Sequence, residues 1–99
     1  MPKGYWIAHV TVEDAEVYDR YRAANAAPFA EYGARFLVRA GSQSVEEGTA
    51  RARTVVLEFP TIEAARACYA SEAYRAAKAI RDPVATSDLV IVEGYEGEP

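Results

Sequence analysis

Tyr5-Trp6-Ile7-Ala8-His9-Val10-Thr11-Val12-Glu13-Asp14-Ala15-Glu16-Val17-Tyr18-Asp19-Arg20-Tyr21 changes its period in mid-run. Residues 5–12 alternate and are rich in β-branched and aromatic side chains, which reads as a strand. Asp14 then supplies an N-cap, and Ala15, Val17, Tyr18, Tyr21 and Ala24 follow at helical spacing. Glu13, Asp14 and Glu16 lie at the positive end of that helix, with Arg20 and Arg22 further on, as its dipole favours. Pro28 is expected to end or kink the helix near Ala26, and Gly33 to close an extra turn over 29–32. Working outward, 35–39 reads as a second strand, 40–52 as a polar hairpin loop with its tip at Glu47-Gly48, and 54–59 as a third strand closed by Pro60. Thr61 caps a second helix over 62–70. Ser71 offers a fresh cap, so this helix bends there and resumes over 74–80 until Asp82-Pro83 stops it. A last strand covers 89–95, and 96–99 is expected to be a mobile tail. The order strand, helix, strand, strand, helix, strand is the split βαβ pattern. It predicts an α+β, ferredoxin-like βαββαβ domain over 1–99: a four-stranded antiparallel sheet with two helices on one face.

The chain has 99 residues, enough for one core and no second domain. Eleven basic against fifteen acidic residues give a net charge of -4, with no electrostatic footprint for duplex nucleic acid or an anionic membrane. No segment reads as a signal peptide or a membrane span. The lone Cys68 cannot pair internally, so a reducing, cytoplasmic setting is expected. No phosphate-cradling loop, nucleophile elbow or zinc helix motif is present. His9 is the only histidine and zinc needs three or four ligands, so neither a metal nor a cofactor is expected.

Strand parity divides the sheet into two faces. Ala8, Val10 and Val12, with Phe36, Val38, Val55, Leu57, Phe59, Val90 and Val92, are expected to meet the helices. The other face then carries Tyr5, Ile7, His9, Leu37, Arg39, Val56, Glu58, Leu89, Ile91 and Glu93. That set is too apolar for water and too charged for a core, and such faces mark interfaces. A two-fold homodimer packing sheet against sheet would cover it.

Within that face His9, Arg39 and Glu58 are the candidate chemistry. On neighbouring parallel strands, His9 and Glu58 would lie within hydrogen-bond reach as a general base, and Arg39 would neutralise a substrate carboxylate or enolate. The alternative is a structural ion-pair network that pins the dimer register. Tyr18 and Tyr69 read as packing, whereas Tyr21, Tyr74 and Arg81 are expected to present polar tips where a ligand enters. Nine arginines against two lysines favour planar, bidentate contacts with carboxylates. Cys68, in an alanine-rich helix, reads as a buried inert thiol.

Gly4-Tyr5-Trp6-Ile7, Tyr18-Asp19-Arg20-Tyr21, the run from Gly33 to Gly41, Val56-Leu57-Glu58-Phe59-Pro60, Ala64-Ala65-Arg66-Ala67-Cys68-Tyr69, Ser71-Glu72-Ala73-Tyr74 and Ile91-Val92-Glu93-Gly94-Tyr95 occur in that order. In this the whole chain resembles domain-of-unknown-function family 1330, of the dimeric α/β-barrel superfamily. It departs from the family pattern at Ala34 and at Ala40-Gly41, where a second glycine is often found. The resemblance implies the same fold and self-association. The superfamily includes cofactor-independent monooxygenases of aromatic polyketides, haem-degrading enzymes, muconolactone isomerase-like enzymes, chlorite dismutases and stress-response barrels, and the family has no established activity. The expected function is binding or proton-transfer chemistry on a small organic acid or aromatic. Arg39, Tyr21, Tyr74 and Arg81 would hold it and His9 or Glu58 would move the proton. The alternative is a non-enzymatic, stress-type dimerisation module. Haem handling would need His9 as the axial ligand.

Overall fold

Three of the four helices begin where a short polar side chain takes up free backbone N–H groups. In the computed structural model, which describes residues 1–97, the Asp14 carboxylate accepts from the N–H of Glu16 and Val17 at 3.1 and 3.2 Å. Thr61 Oγ1 accepts from Ala64 N at 3.1 Å and Ser71 Oγ from Tyr74 N at 3.2 Å. The resulting order is β1 (Gly4–Val12), α1 (Ala15–Ala24), α2 (Ala26–Glu31), β2 (Arg35–Arg39), β3 (Arg53–Phe59), α3 (Ile62–Ala70), α4 (Glu72–Arg81) and β4 (Ala85–Glu93). Both expected helices are therefore split, at Asn25 and at Ser71. Pro28 sits in the first turn of α2, where its missing N–H costs nothing, so the break falls at Asn25 and not at Ala26.

The four strands form one antiparallel sheet in the order β2-β3-β1-β4, and the fold is α+β and ferredoxin-like. Trp6, 1% exposed, is the centre of the core. Its ring meets Phe29, Phe59, Tyr69 and Tyr74 with centroids 4.9 to 5.7 Å away, and its Nε1–H donates to the Ala65 carbonyl at 2.9 Å. Gly4 lets α3 close onto β1, since a Cβ there would lie 2.5 Å from Ile62 Cα.

The pairing corrects three expectations about the faces. β2 carries a bulge: Phe36 pairs with Leu57 but Val38 pairs with Val56, so Leu37 is the extra residue. The alternation flips there, which turns Val38 to the open face and Arg39 to the helix side. In β4, Val90 pairs with Ile7 and Val92 with Tyr5, so these valines stand on the open face, 58% and 42% exposed. Leu89 and Ile91 pack toward the core instead, and Glu93 follows their register, opposite Gly4. Both rows of β4 are apolar, so periodicity alone had no means of choosing between them. The strand also starts at Ala85 rather than Leu89, because Ala85-Thr86-Ser87-Asp88 carries little strand propensity but pairs fully with β1. Of the expected tail, Glu98 and Pro99 lie outside the described residues. No helix among the described residues is long and apolar enough to cross a membrane.

Candidate functional site

Between the sheet and the helices lies a cleft lined by Tyr18, Tyr21, Arg22 and Asn25 from α1 and its cap, Tyr74 and Arg81 from α4, Phe29, and sheet residues including Trp6, Ala8, Phe36, Arg39, Arg53 and Ser87. Its enclosed part measures about 40 Å³, and with its open mouth it encompasses about 460 Å³. Helical spacing aims Tyr18 and Tyr21 at the sheet, and Arg81, at the last position of α4, is only 5% exposed. Arg53 reaches the cleft by strand parity, being two residues before the buried Val55. Arg39 reaches it through the β2 bulge, and its guanidinium stands 4.0 Å over the Phe36 ring.

Among the described residues, four arginines line this cleft and no aspartate or glutamate does. Arg22 is paired with Asp19 at 3.2 Å and Arg81 approaches Asp82 at 3.7 Å. Among the described residues, Arg39 and Arg53 make no ion pair; Arg53 instead lies 5.2 Å from the Tyr18 ring centroid. The Nε atoms of Arg22, Arg53 and Arg81 are buried without a hydrogen-bond partner, and orphaned donors of this kind are uncommon in folded proteins.

At the inner end, the Tyr21 and Tyr74 hydroxyls are 2.8 Å apart. Arg81 donates to the Tyr74 hydroxyl at 3.4 Å and to Ser87 Oγ at 3.1 Å. Burial pushes the Tyr74 pKa well up, and the neighbouring Tyr21 pushes it further despite Arg81, so Tyr74 is a neutral hydroxyl and no base at neutral pH. Burial also raises Tyr18, aided by Tyr21 and opposed by Arg53. Burial opposes the Arg81 charge, but the Tyr74 and Tyr21 hydroxyls facing it outweigh that and hold it firmly protonated.

Of the residues singled out in the sequence, Tyr21, Tyr74, Arg81 and Arg39 thus come together on one cleft. Tyr21 and Tyr74 are buried at its inner end, not at an entrance. His9 and Glu58 lie across the sheet from them. The strands expected to be parallel are antiparallel: His9 pairs with Thr54 and Tyr5 with Glu58. Four residues of strand, about 13 Å, therefore separate His9 from Glu58. The His9 Nδ1 meets Thr54 Oγ1 at 3.1 Å, and Thr54 in turn bonds to Gln43. Glu58 accepts from the Tyr5 hydroxyl at 3.1 Å and pairs with Arg35 at 3.3 Å. The expected pocket uniting His9, Arg39 and Glu58 does not form. Arg53, Arg22 and Asn25 were missed, and Tyr18, read as packing alone, also lines the cleft. Parity with Val55 was the available signal for Arg53.

Cys68 is fully buried, with its Sγ 3.8 Å from the Pro28 carbonyl. Burial, assisted by Glu31, pushes its thiol up to about 12. Among the described residues no group of His, Cys, Asp and Glu is placed to hold a metal ion.

The family described as "Domain of unknown function (DUF1330)" matches residues 3–95. Among curated proteins none matches. Solved structures share the fold at low identity. A protein of unknown function from Rhodopseudomonas palustris is 16% identical with a TM-score of 0.76, covering 97% of this chain and 85% of its own. A proposed antibiotic biosynthesis monooxygenase from Caulobacter crescentus is 17% identical at 0.67, covering 96% and 92%. SnoaB, a cofactor-independent oxygenase from Streptomyces nogalater, is 15% identical at 0.65, covering 100% and 99%.

Proposed function

The chain belongs to this family of unknown function, and we propose that its sheet–helix cleft binds a small organic acid whose carboxylate is held by Arg39 and Arg53. The observation that carries this is the uncompensated charge: among the described residues, two arginines without an acid partner, and an orphaned Arg53 Nε, in a cleft lined by no carboxylate. Arg39 pairs with Val55, and Arg53 is two residues from Val55 on the same face. The two side chains are therefore diagonal neighbours on adjacent strands, a spacing from which both guanidinium groups reach one carboxylate. Behind them Trp6, Ala8, Phe29 and Phe36 offer an apolar bed for the ligand body. An apolar cavity of about 150 Å³ is needed for a benzene ring. A ring therefore enters only as side chains lining the cleft move, and the exposed Arg39, stacked over Phe36, is free to turn to the carboxylate. The fold likeness to an oxygenase that works without a cofactor supports placing aromatic acids in the panel of ligands.

The test is calorimetric titration with acetate, benzoate and phenol. Benzoate is expected to bind and phenol to bind far more weakly. Arg53→Gln and Arg39→Gln are each expected to weaken benzoate by about 10-fold or more, the worth of a hydrogen bond to a charged group. Absence of saturable binding by any carboxylate, with the fold intact, overturns the reading and leaves the non-enzymatic module.

The open face supports a second element of the proposal, contact between two copies of this chain. Leu37, Val38, Val90 and Val92 are exposed there beside Ile7 and Val56, flanked by Tyr5–Glu58–Arg35 at one end and Arg51–Asp88 at the other. His9 and Glu58 belong to this contact and not to the acid site. Sedimentation equilibrium is expected to give a dimer that Val90→Lys converts to a folded monomer; a monomeric wild type at micromolar concentration rejects it.

A further inference from the structure

The inner end of the cleft holds a hydrogen-bond chain whose direction the burial of its middle member favours. Arginine has donors and no acceptor, so at its contact with Arg81 Nη2 the Tyr74 oxygen accepts. Tyr74 is 0% exposed, and among the described residues the Tyr21 oxygen 2.8 Å away is the acceptor within reach of its proton, which would otherwise be buried without a partner. The Tyr21 oxygen thereby becomes an acceptor and its own proton is left over. Among the described residues no protein acceptor other than Tyr74 bonds to the Tyr21 hydroxyl, which lies on the cleft wall. A phenol that accepts a hydrogen bond becomes a stronger donor, so the cation at the head of the chain strengthens the donor at its end.

This donor lies opposite the arginine pair. Arg53 and Ser87 both pair with Val10, from its two sides, and Ser87 carries Arg81. Two strand spacings, about 10 Å, thus separate the backbone of Arg53 from that of Ser87, and Trp6, Ala8 and Val10 form the floor between.

We infer that the cleft has a second polar subsite, in which the Tyr21 hydroxyl, aligned by Tyr74 and Arg81, donates to an oxygen on the ligand's far side from its carboxylate. The ligand class is a ring-bearing carboxylic acid with a hydroxyl or keto oxygen opposite the acid group. Tyr74 and Arg81 are positioning residues here. This inference rests on the proposal that Arg39 and Arg53 hold the carboxylate.

Hydroxyl and methyl groups are near in size and differ in whether they accept a hydrogen bond, so the probes are 3- and 4-hydroxybenzoate against 3- and 4-methylbenzoate, with benzoate as the common reference. In the wild-type protein one hydroxybenzoate is expected to bind about 3- to 10-fold tighter than its methyl counterpart, the range of one net hydrogen bond. Tyr21→Phe should abolish that ratio, each probe being read against benzoate on the same variant, and far-UV circular dichroism reports that the variant is folded. Tyr74→Phe should reduce the ratio through loss of alignment, read in the same way. Equal binding of hydroxyl and methyl probes, or a preference that survives Tyr21→Phe, overturns the second subsite alone. Failure of benzoate to bind the wild-type protein, or indifference to Arg53→Gln, overturns the acid site and this inference together.

Discussion

The two faces of the sheet carry the same kinds of side chain in opposite states of completion. On the open face every prominent polar group is answered within the chain: Glu58 by Tyr5 and Arg35, Arg51 by Asp88 and Thr11, His9 by Thr54. On the helix side the half-buried Arg53 and the exposed Arg39 at the cleft mouth have no counter-charge among the described residues, and the Nε atoms of Arg22, Arg53 and Arg81 are buried without partners. Finished polar networks hold a shape, whereas unfinished ones carry a desolvation cost that a ligand relieves. The contrast explains why the acid site is assigned to the cleft even though the sequence draws attention to the other face.

The strongest way to test the contrast is to truncate one residue on each face of the same strand. Trp6→Ala removes the ring that four aromatic neighbours pack against and its Nε1–H bond to the Ala65 carbonyl of α3. A loss of about 3–5 kcal/mol is expected in urea denaturation, a large share of the stability of a small domain. Ile7→Ala, on the half-buried open face, should cost about 1 kcal/mol in the isolated protomer. Equal losses would mean that the open face is as tightly packed as the core.

A smaller effect separates the faces by pH. Tyr18, Tyr74 and Cys68 on the helix side all have pKa values raised first by burial, Cys68 to about 12 from 9.0. The folded state keeps protons that the unfolded chain releases from about pH 9 upward. Stability is therefore fully present below that pH and declines as pH rises toward the folded values, by at most about 1.4 kcal/mol per pH unit for each group. Melting temperatures measured from pH 8 to 11 should fall, and Tyr74→Phe should flatten the fall. Tyr5 on the open face is raised more simply, by burial and then by Glu58 beside it, and Tyr5→Phe should leave the profile's slope nearly unchanged. An equal flattening by the two variants contradicts the assignment of Tyr74 to a dry interior.

Much of this was legible in the residues. The change of period at Asp14, the caps at Thr61 and Ser71 and the stop at Asp82-Pro83 gave the element order, because caps and breakers act locally. Face assignment depended on pairing between strands, and that is where the reading failed. In β4, Leu89 and Ile91 are no more apolar than Val90 and Val92, so only hydrogen bonding to β1 decides which pair goes inward. In β2 a single bulged Leu37 moves Arg39 across the sheet, and nothing in Arg35-Phe36-Leu37-Val38-Arg39 announces a bulge. Tyr21, Tyr74 and Arg81 reach the cleft because each sits at a helical position facing the sheet, but they are buried at its inner end and not at the expected entrance. Their mutual hydrogen bonds were not legible, because they join residues 53 positions apart.

The smallest effect is the most informative about function. Arg35 is 73% exposed in its side chain and pairs with Glu58 at the rim of the open face, so Arg35→Met should change stability by less than about 0.5 kcal/mol. Arg53→Met replaces a half-buried cation with no ion pair by an apolar chain of similar length, beside Tyr18 and Val55. Removing an uncompensated charge from such a place should be neutral or stabilising by about 0.5–1 kcal/mol, while benzoate binding is lost. A residue that weakens the fold and is kept at a cleft wall is one retained for what it binds. If Arg53→Met instead costs more than about 1 kcal/mol in urea denaturation, its contact with the Tyr18 ring is structural. The acid would then have to be held by Arg39 alone.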